Sequence, residues 1–68
     1  MYKNLKAELV RNGIKVSDAA KRLELKAGTL SLKINGKARV TLDEAFMLQK
    51  LIFEKSNEII PIETLFKA

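Results

Sequence analysis

Residues 16–36, VSDAAKRLELKAGTLSLKING, constrain the fold of this chain more than any other stretch. They read as two short helices joined by a tight turn. Ala19, Ala20 and Leu23 form the inner face of a helix over residues 16–23. Leu30 and Ile34, one turn apart, form the inner face of a second over residues 27–35. The small Ala20 matters most, because a second helix crossing the first steeply needs its backbone close, and a larger side chain would hold it off. Glu24 and Leu25 make the turn, with Leu25 pointing inward. Asn35-Gly36 closes the second helix, since glycine takes the left-handed conformation that follows a helix end. The entry to the first helix is less regular: Lys15 takes the cap position by spacing, and Ser17 or the backbone serves instead.

The flanks supply the rest of a small helical core. Tyr2, Leu5 and Leu9, joined by Ala7 and Val10, recur at helical spacing and predict a helix over residues 2–12, stopped by Asn12-Gly13; Ile14 then anchors the chain. Thr41-Leu42-Asp43-Glu44 is a capping box, in which Thr41 caps the amide of Glu44 and Glu44 reaches back. It opens a helix expected to run from Leu42 to about Glu54. That helix carries Leu42, Ala45, Phe46, Met47, Leu48, Leu51, Ile52 and Phe53, more apolar residues than one core-facing stripe needs. Phe46, Met47 and Phe53 are read either as core or as a surface for a second copy. Residues 55–60 form a connection, and Pro61 suits the first turn of a short last helix ending near Phe66. Ile59, Ile62, Leu65 and Phe66 are expected to close the structure. The expectation is an all-α, compact five-helix bundle with a central helix-turn-helix, residues 1–68 forming one domain. No repeat, low-complexity tract or linker divides it.

Composition removes several function classes. With no cysteine or histidine, neither a disulfide nor the usual metal ligands, general base or thiol nucleophile is present. The carboxylates are scattered over separate elements, so no metal site, cofactor or catalytic constellation is expected, and the chain reads as a non-enzyme. No apolar run approaches the roughly 20 residues that span a bilayer, and the amino terminus lacks the pattern of a signal peptide, so a cytoplasmic location is expected. Net charge is +5, and it is unevenly placed. Residues 1–41 hold ten Lys and Arg against three acids, whereas residues 42–68 hold three Lys against five. The basic half contains the two-helix motif, which favours nucleic acid as a partner over a merely solvated basic surface.

These residues resemble the helix-turn-helix domain of the phage lambda repressor and Cro class, often called the Xre family. Ala20, Leu23, Leu25, Leu30 and Asn35-Gly36 fall at that family's signature positions. The runs TLSLKINGK (29–37) and VTLDEA (40–45) are close to those of small phage-type regulators. The likeness covers residues 2 to about 53, and the tail IIPIETLFKA resembles the closing helix of such regulators. It implies a transcriptional regulator of the repressor kind that binds double-stranded DNA by docking helix 27–35 in the major groove, with a homodimer as the form that would meet two half-sites. Carried over by position, Ala27, Gly28 and Leu32 face the bases with Thr29 and Lys33 flanking. Lys15 and Val16 (through their amides), Asn35, Lys37 and Arg39 contact phosphates.

Three positions depart from the family pattern. Val16 stands where a phosphate-binding Gln is usual. Glu24 stands where a Gly is usual, and must take a left-handed backbone at a cost. The reading face has no Gln, Asn or Arg for bidentate base contacts. Leu32 is left to meet a thymine methyl, and most affinity is expected from phosphates and DNA shape. The other function class open to this fold is a protein-interaction module, such as an antitoxin or accessory subunit, that uses the same helices on a protein partner.

Overall fold

In the computed structural model the described residues form five helices in the order α1 (Lys3–Arg11), α2 (Val16–Arg22), α3 (Ala27–Ile34), α4 (Leu42–Ser56) and α5 (Ile62–Leu65). The structure describes residues 1–67. Ala68, the last residue of the expected domain and of the tail IIPIETLFKA, lies outside the described residues. The architecture is an all-α bundle, and no described helix is long and apolar enough to cross a membrane.

The first three helices end in the same way. At each, the second amide past the cap donates back over the last turn: Ile14 to Leu9 O at 2.8 Å, Leu25 to Ala20 O at 2.8 Å, and Lys37 to Leu32 O at 2.9 Å. The amide before each of these closes a shorter bond, Gly13 to Val10 O, Glu24 to Lys21 O and Gly36 to Lys33 O, all at 3.1 Å. This is the Schellman arrangement, which needs a left-handed residue at its centre. Gly13 (φ 67) and Gly36 (φ 78) supply it without strain; Glu24 (φ 57) supplies it with a side chain. The capping box on α4 is complete. Glu44 N–H donates to Thr41 Oγ1 at 3.2 Å, and Thr41 N–H donates to Glu44 Oε1 at 2.9 Å.

Leu5, Leu30, Leu48, Ile52 and Leu65 are fully buried at the centre of the core, one or two from every helix but α2. Ala19 and Ala20 are α2's contribution. Their small size brings that backbone close to α3, as the sequence required. Leu23 and Leu25 are half-buried and pack onto the same cluster, as do Tyr2, Ile60 and Phe66. Tyr2 and Phe66 meet edge to face, with ring centroids 5.2 Å apart. The Asn4 side-chain amide donates to Thr64 O at 2.9 Å, tying α1 to α5.

Four details differ from the sequence reading. Helix α4 runs two residues further than expected, to Ser56, because its stop is Asn57 in the left-handed region (φ 62). Asparagine tolerates that conformation better than other side chains. Ile59 does not close the bundle but is 72% exposed. Ile60 packs inward instead, its carbonyl held by the Gln49 side chain at 2.8 Å. Val10 and Leu42, counted toward inner faces, are 71% and 65% exposed. Pro61 caps α5 from outside, leaving a helix of four residues. The remaining boundaries agree to within one residue.

Candidate nucleic-acid interface

The frame consists of α2, the Glu24–Leu25 turn and α3. Burial of Leu30 and Ile34 fixes the orientation of α3, so Gly28 and Leu32, one turn apart, are carried to the side away from the core. Ala27 and Gly28 are exposed, Leu32 is 48% exposed and Thr29 is half-buried. A Cβ added at Gly28 meets nothing within 4 Å, and its φ is not positive. Neither packing nor backbone geometry within the fold explains a glycine there.

Lys33 does not share this face. Its Nζ donates to both carboxylate oxygens of Glu44 at 2.7 Å, and the two side chains are only 13% and 15% exposed. On a helix that buries Leu30 and Ile34, residue 33 lies at the edge turned toward α4, and a carboxylate within reach withdraws its ammonium from the outer surface. Lys33, expected to flank the reading face, lies at its edge with its ammonium engaged by Glu44. The Glu44 pKa is lowered from its ordinary value, by the hydrogen bond from the Lys33 ammonium first and that from the Thr41 amide second.

The expected phosphate contacts fall into two places. At the start of α2, Lys15 is extended (φ −78, ψ 145) and exposed, and no side chain caps the helix. The first helical bond is Ala19 N–H to Lys15 O at 3.0 Å, so the amides of residues 16–18 have no partner within the helix. Val16 is half-buried there, and it shares an open groove of about 220 Å³ with Asn35 from the end of α3. Two residues distant in sequence are thus brought together. Lys37 and Arg39 lie in the loop from α3 to α4, both exposed.

Three side chains belong to this surface that the sequence reading passed over. Lys6 from α1 and Ser31 from α3 line the same groove as Val16 and Asn35. Ser31 stands one turn before Asn35, a spacing that was available to find it; the approach of Lys6 depends on how α1 lies against α3, which no local pattern records. Lys26 precedes α3 in extended conformation (φ −76, ψ 147), exposed at the very start of the outward-facing helix. It was legible as a cation next to a helix start.

Ion pairing sorts the basic residues. Among the described residues, Arg11 pairs with Glu8 and Glu58, Arg22 with Glu54 through two bonds of 2.9 Å, and Lys33 with Glu44. In each case an acid from residues 42–68 takes part. The pair with Glu54 raises the Arg22 pKa and lowers that of Glu54, by hydrogen bonding above all. The other seven basic residues of the first 41, Lys15, Lys26, Lys37 and Arg39 among them, form no such pair with another described residue. The acids of the second half are thus spent largely on cations that hold helices together. Lys15 and Lys26, before α2 and α3, and Lys37 and Arg39, after α3, have no such partner among the described residues.

Comparison of the chain with protein-family models, curated proteins and solved structures gives no match.

Proposed function

We propose that this chain binds double-stranded DNA in a sequence-directed manner, as a cytoplasmic transcriptional regulator of the lambda repressor and Cro kind. In this reading α3 docks in the major groove, and the protein acts as a repressor. The observation that carries it is the division of labour on α2 and α3. Their inner faces form the core, their outer face has no intramolecular task, and Lys15, Lys26, Lys37 and Arg39 around it form no ion pair with another described residue. Ala27, Gly28, Thr29 and Leu32 face the bases. Gly28 lets the helix backbone approach closely, and Leu32 meets thymine methyl groups. Phosphates are held by the free amides at the start of α2, by Asn35, and by Lys15, Lys37 and Arg39. With no bidentate reader on the face, affinity comes mainly from phosphates and DNA shape, so the ratio of specific to nonspecific binding is small.

Reversing two of these charges tests the reading. In a gel shift with a random-sequence duplex, Lys37→Glu with Arg39→Glu should abolish binding at moderate salt while thermal unfolding is unchanged. Unchanged binding by that variant would remove the main support for DNA.

The second reading, a protein-interaction module, draws on exposed apolar side chains. Phe46 and Phe53 are 50% and 39% exposed along α4, and Leu42 adds to them. In the DNA reading the same residues form the surface of a homodimer, with Met47 half-buried beside them.

A further inference from the structure

Glu44 joins three segments of the chain through its side chain and its amide. Its carboxylate accepts from Lys33 Nζ at 2.7 Å through each oxygen and from Thr41 N–H at 2.9 Å, while its own amide donates to Thr41 Oγ1. One residue therefore starts α4, joins it to the last turn of α3, and ties together the two ends of the loop that carries Lys37 and Arg39. The other end of that loop is fixed by Lys37 N–H donating to Leu32 O at 2.9 Å. Lys33 sits on the outward helix at the edge of the face that Gly28, Thr29 and Leu32 present. Freed from Glu44, a flexible ammonium at that edge is available to a phosphate on the groove wall.

We propose that Glu44 is a positioning residue that withholds Lys33 from DNA. By holding this cation, Glu44 keeps one sequence-blind contact out of the interface and sets the loop bearing Lys37 and Arg39 at a fixed place beside α3. Phosphate contacts carry no sequence information, so an extra one would tighten binding to every duplex alike and deepen the salt dependence without adding discrimination. The inference rests on the DNA-binding reading above.

The test is the slope of binding against salt for a labelled random-sequence duplex, measured by fluorescence anisotropy for four proteins: the unmodified chain, Lys33→Met, Glu44→Gln and the double variant. Gln is compatible with a capping box, so Glu44→Gln retains the helix start while it loses the charge; circular dichroism melting confirms that each variant is folded. Lys33→Met in the unmodified background should leave the slope unchanged. Glu44→Gln should steepen it by about 0.9 and tighten binding about eightfold at 0.1 M salt, as one added phosphate contact does. Adding Lys33→Met to Glu44→Gln should return both to their starting values, the double variant having the same net charge as the unmodified chain. A slope flattened by about 0.9 in Lys33→Met alone, or a double variant that binds like Glu44→Gln, overturns the inference and leaves the DNA reading intact. Absence of binding by the unmodified chain at low salt overturns the DNA reading itself, and the inference with it.

Discussion

At Glu24 the backbone enters the left-handed region with φ 57, and the side chain is exposed, without an ion pair among the described residues. A side chain in that conformation costs roughly 1–2 kcal/mol, offset in part by the smaller entropy a non-glycine loses on folding. Glu24→Gly should therefore stabilise the fold by about 1 kcal/mol, seen as a higher urea midpoint at constant slope. Gly28 is the opposite case. Its φ is ordinary and the space around it empty, so Gly28→Ala should raise stability by about 0.5 kcal/mol. The same substitution should weaken DNA binding, because the added methyl stands between α3 and the groove. Parallel denaturation and anisotropy measurements check both halves. Glu24 stood out in the sequence as a departure, a residue where glycine is usual. The capture of Lys33 did not. Its partner lies eleven residues on in a different helix, and nothing in the local pattern of α3 distinguishes a lysine that faces solvent from one that faces a carboxylate.

Among the elements, helix starts and stops that rest on local chemistry were readable in advance. Asn12-Gly13, Asn35-Gly36 and the Thr41–Glu44 box each specify their own backbone, and each is found as read. The end of α4 was not legible, because asparagine is only one of several residues able to stop a helix, and Asn57 is followed by no glycine. The choice between Ile59 and Ile60 depends on the path of the chain after that stop, set by Gln49 holding Ile60 O. The junctions of α2 and α3 with α4 rest on Glu54 and Glu44, and this gives the fold a pH dependence of known sign. Both carboxyls titrate below their ordinary value when folded, so the folded chain binds fewer protons than the unfolded one. Their contribution is fully present above the unfolded carboxylate value of about 4.3 and is lost as pH falls through the lower folded values. Acidification from about pH 6 to pH 3 should lower the urea midpoint, and Glu44→Gln should show a smaller drop over the same range. Pairs as exposed as Arg22 and Glu54 contribute little to stability in water, so most of the difference should come from Glu44.

For the whole molecule, size and charge decide what the interface can do. The described chain measures 26 × 23 × 20 Å, whereas half-sites one helical turn apart lie about 34 Å from each other. Under the proposed DNA-binding function a single copy would therefore span one half-site, and a two-half-site operator would take two. The exposed Leu42, Phe46 and Phe53 lie on α4, whose inner face joins the core, and they are the side chains a second copy is proposed to meet. Sedimentation of Phe46→Lys beside the unmodified protein checks this, with a dimer expected only for the latter. The segregation of charge that first pointed to nucleic acid has become more specific: acids of the second half pair with Arg11, Arg22 and Lys33, while Lys15, Lys26, Lys37 and Arg39 have no such partner among the described residues.

The central claim is that residues 16–36 and the cations flanking them dock on the DNA backbone, and the salt dependence of binding to a random-sequence duplex tests it most directly. With at least Lys15, Lys37 and Arg39 on phosphates, log K should fall against log salt with a slope of about −2.7 or steeper per copy, a loss of about fortyfold between 50 and 200 mM. Lys37→Glu with Arg39→Glu should flatten that slope by about 1.8. A slope near zero, or the same slope in the charge-reversed variant, would contradict the account.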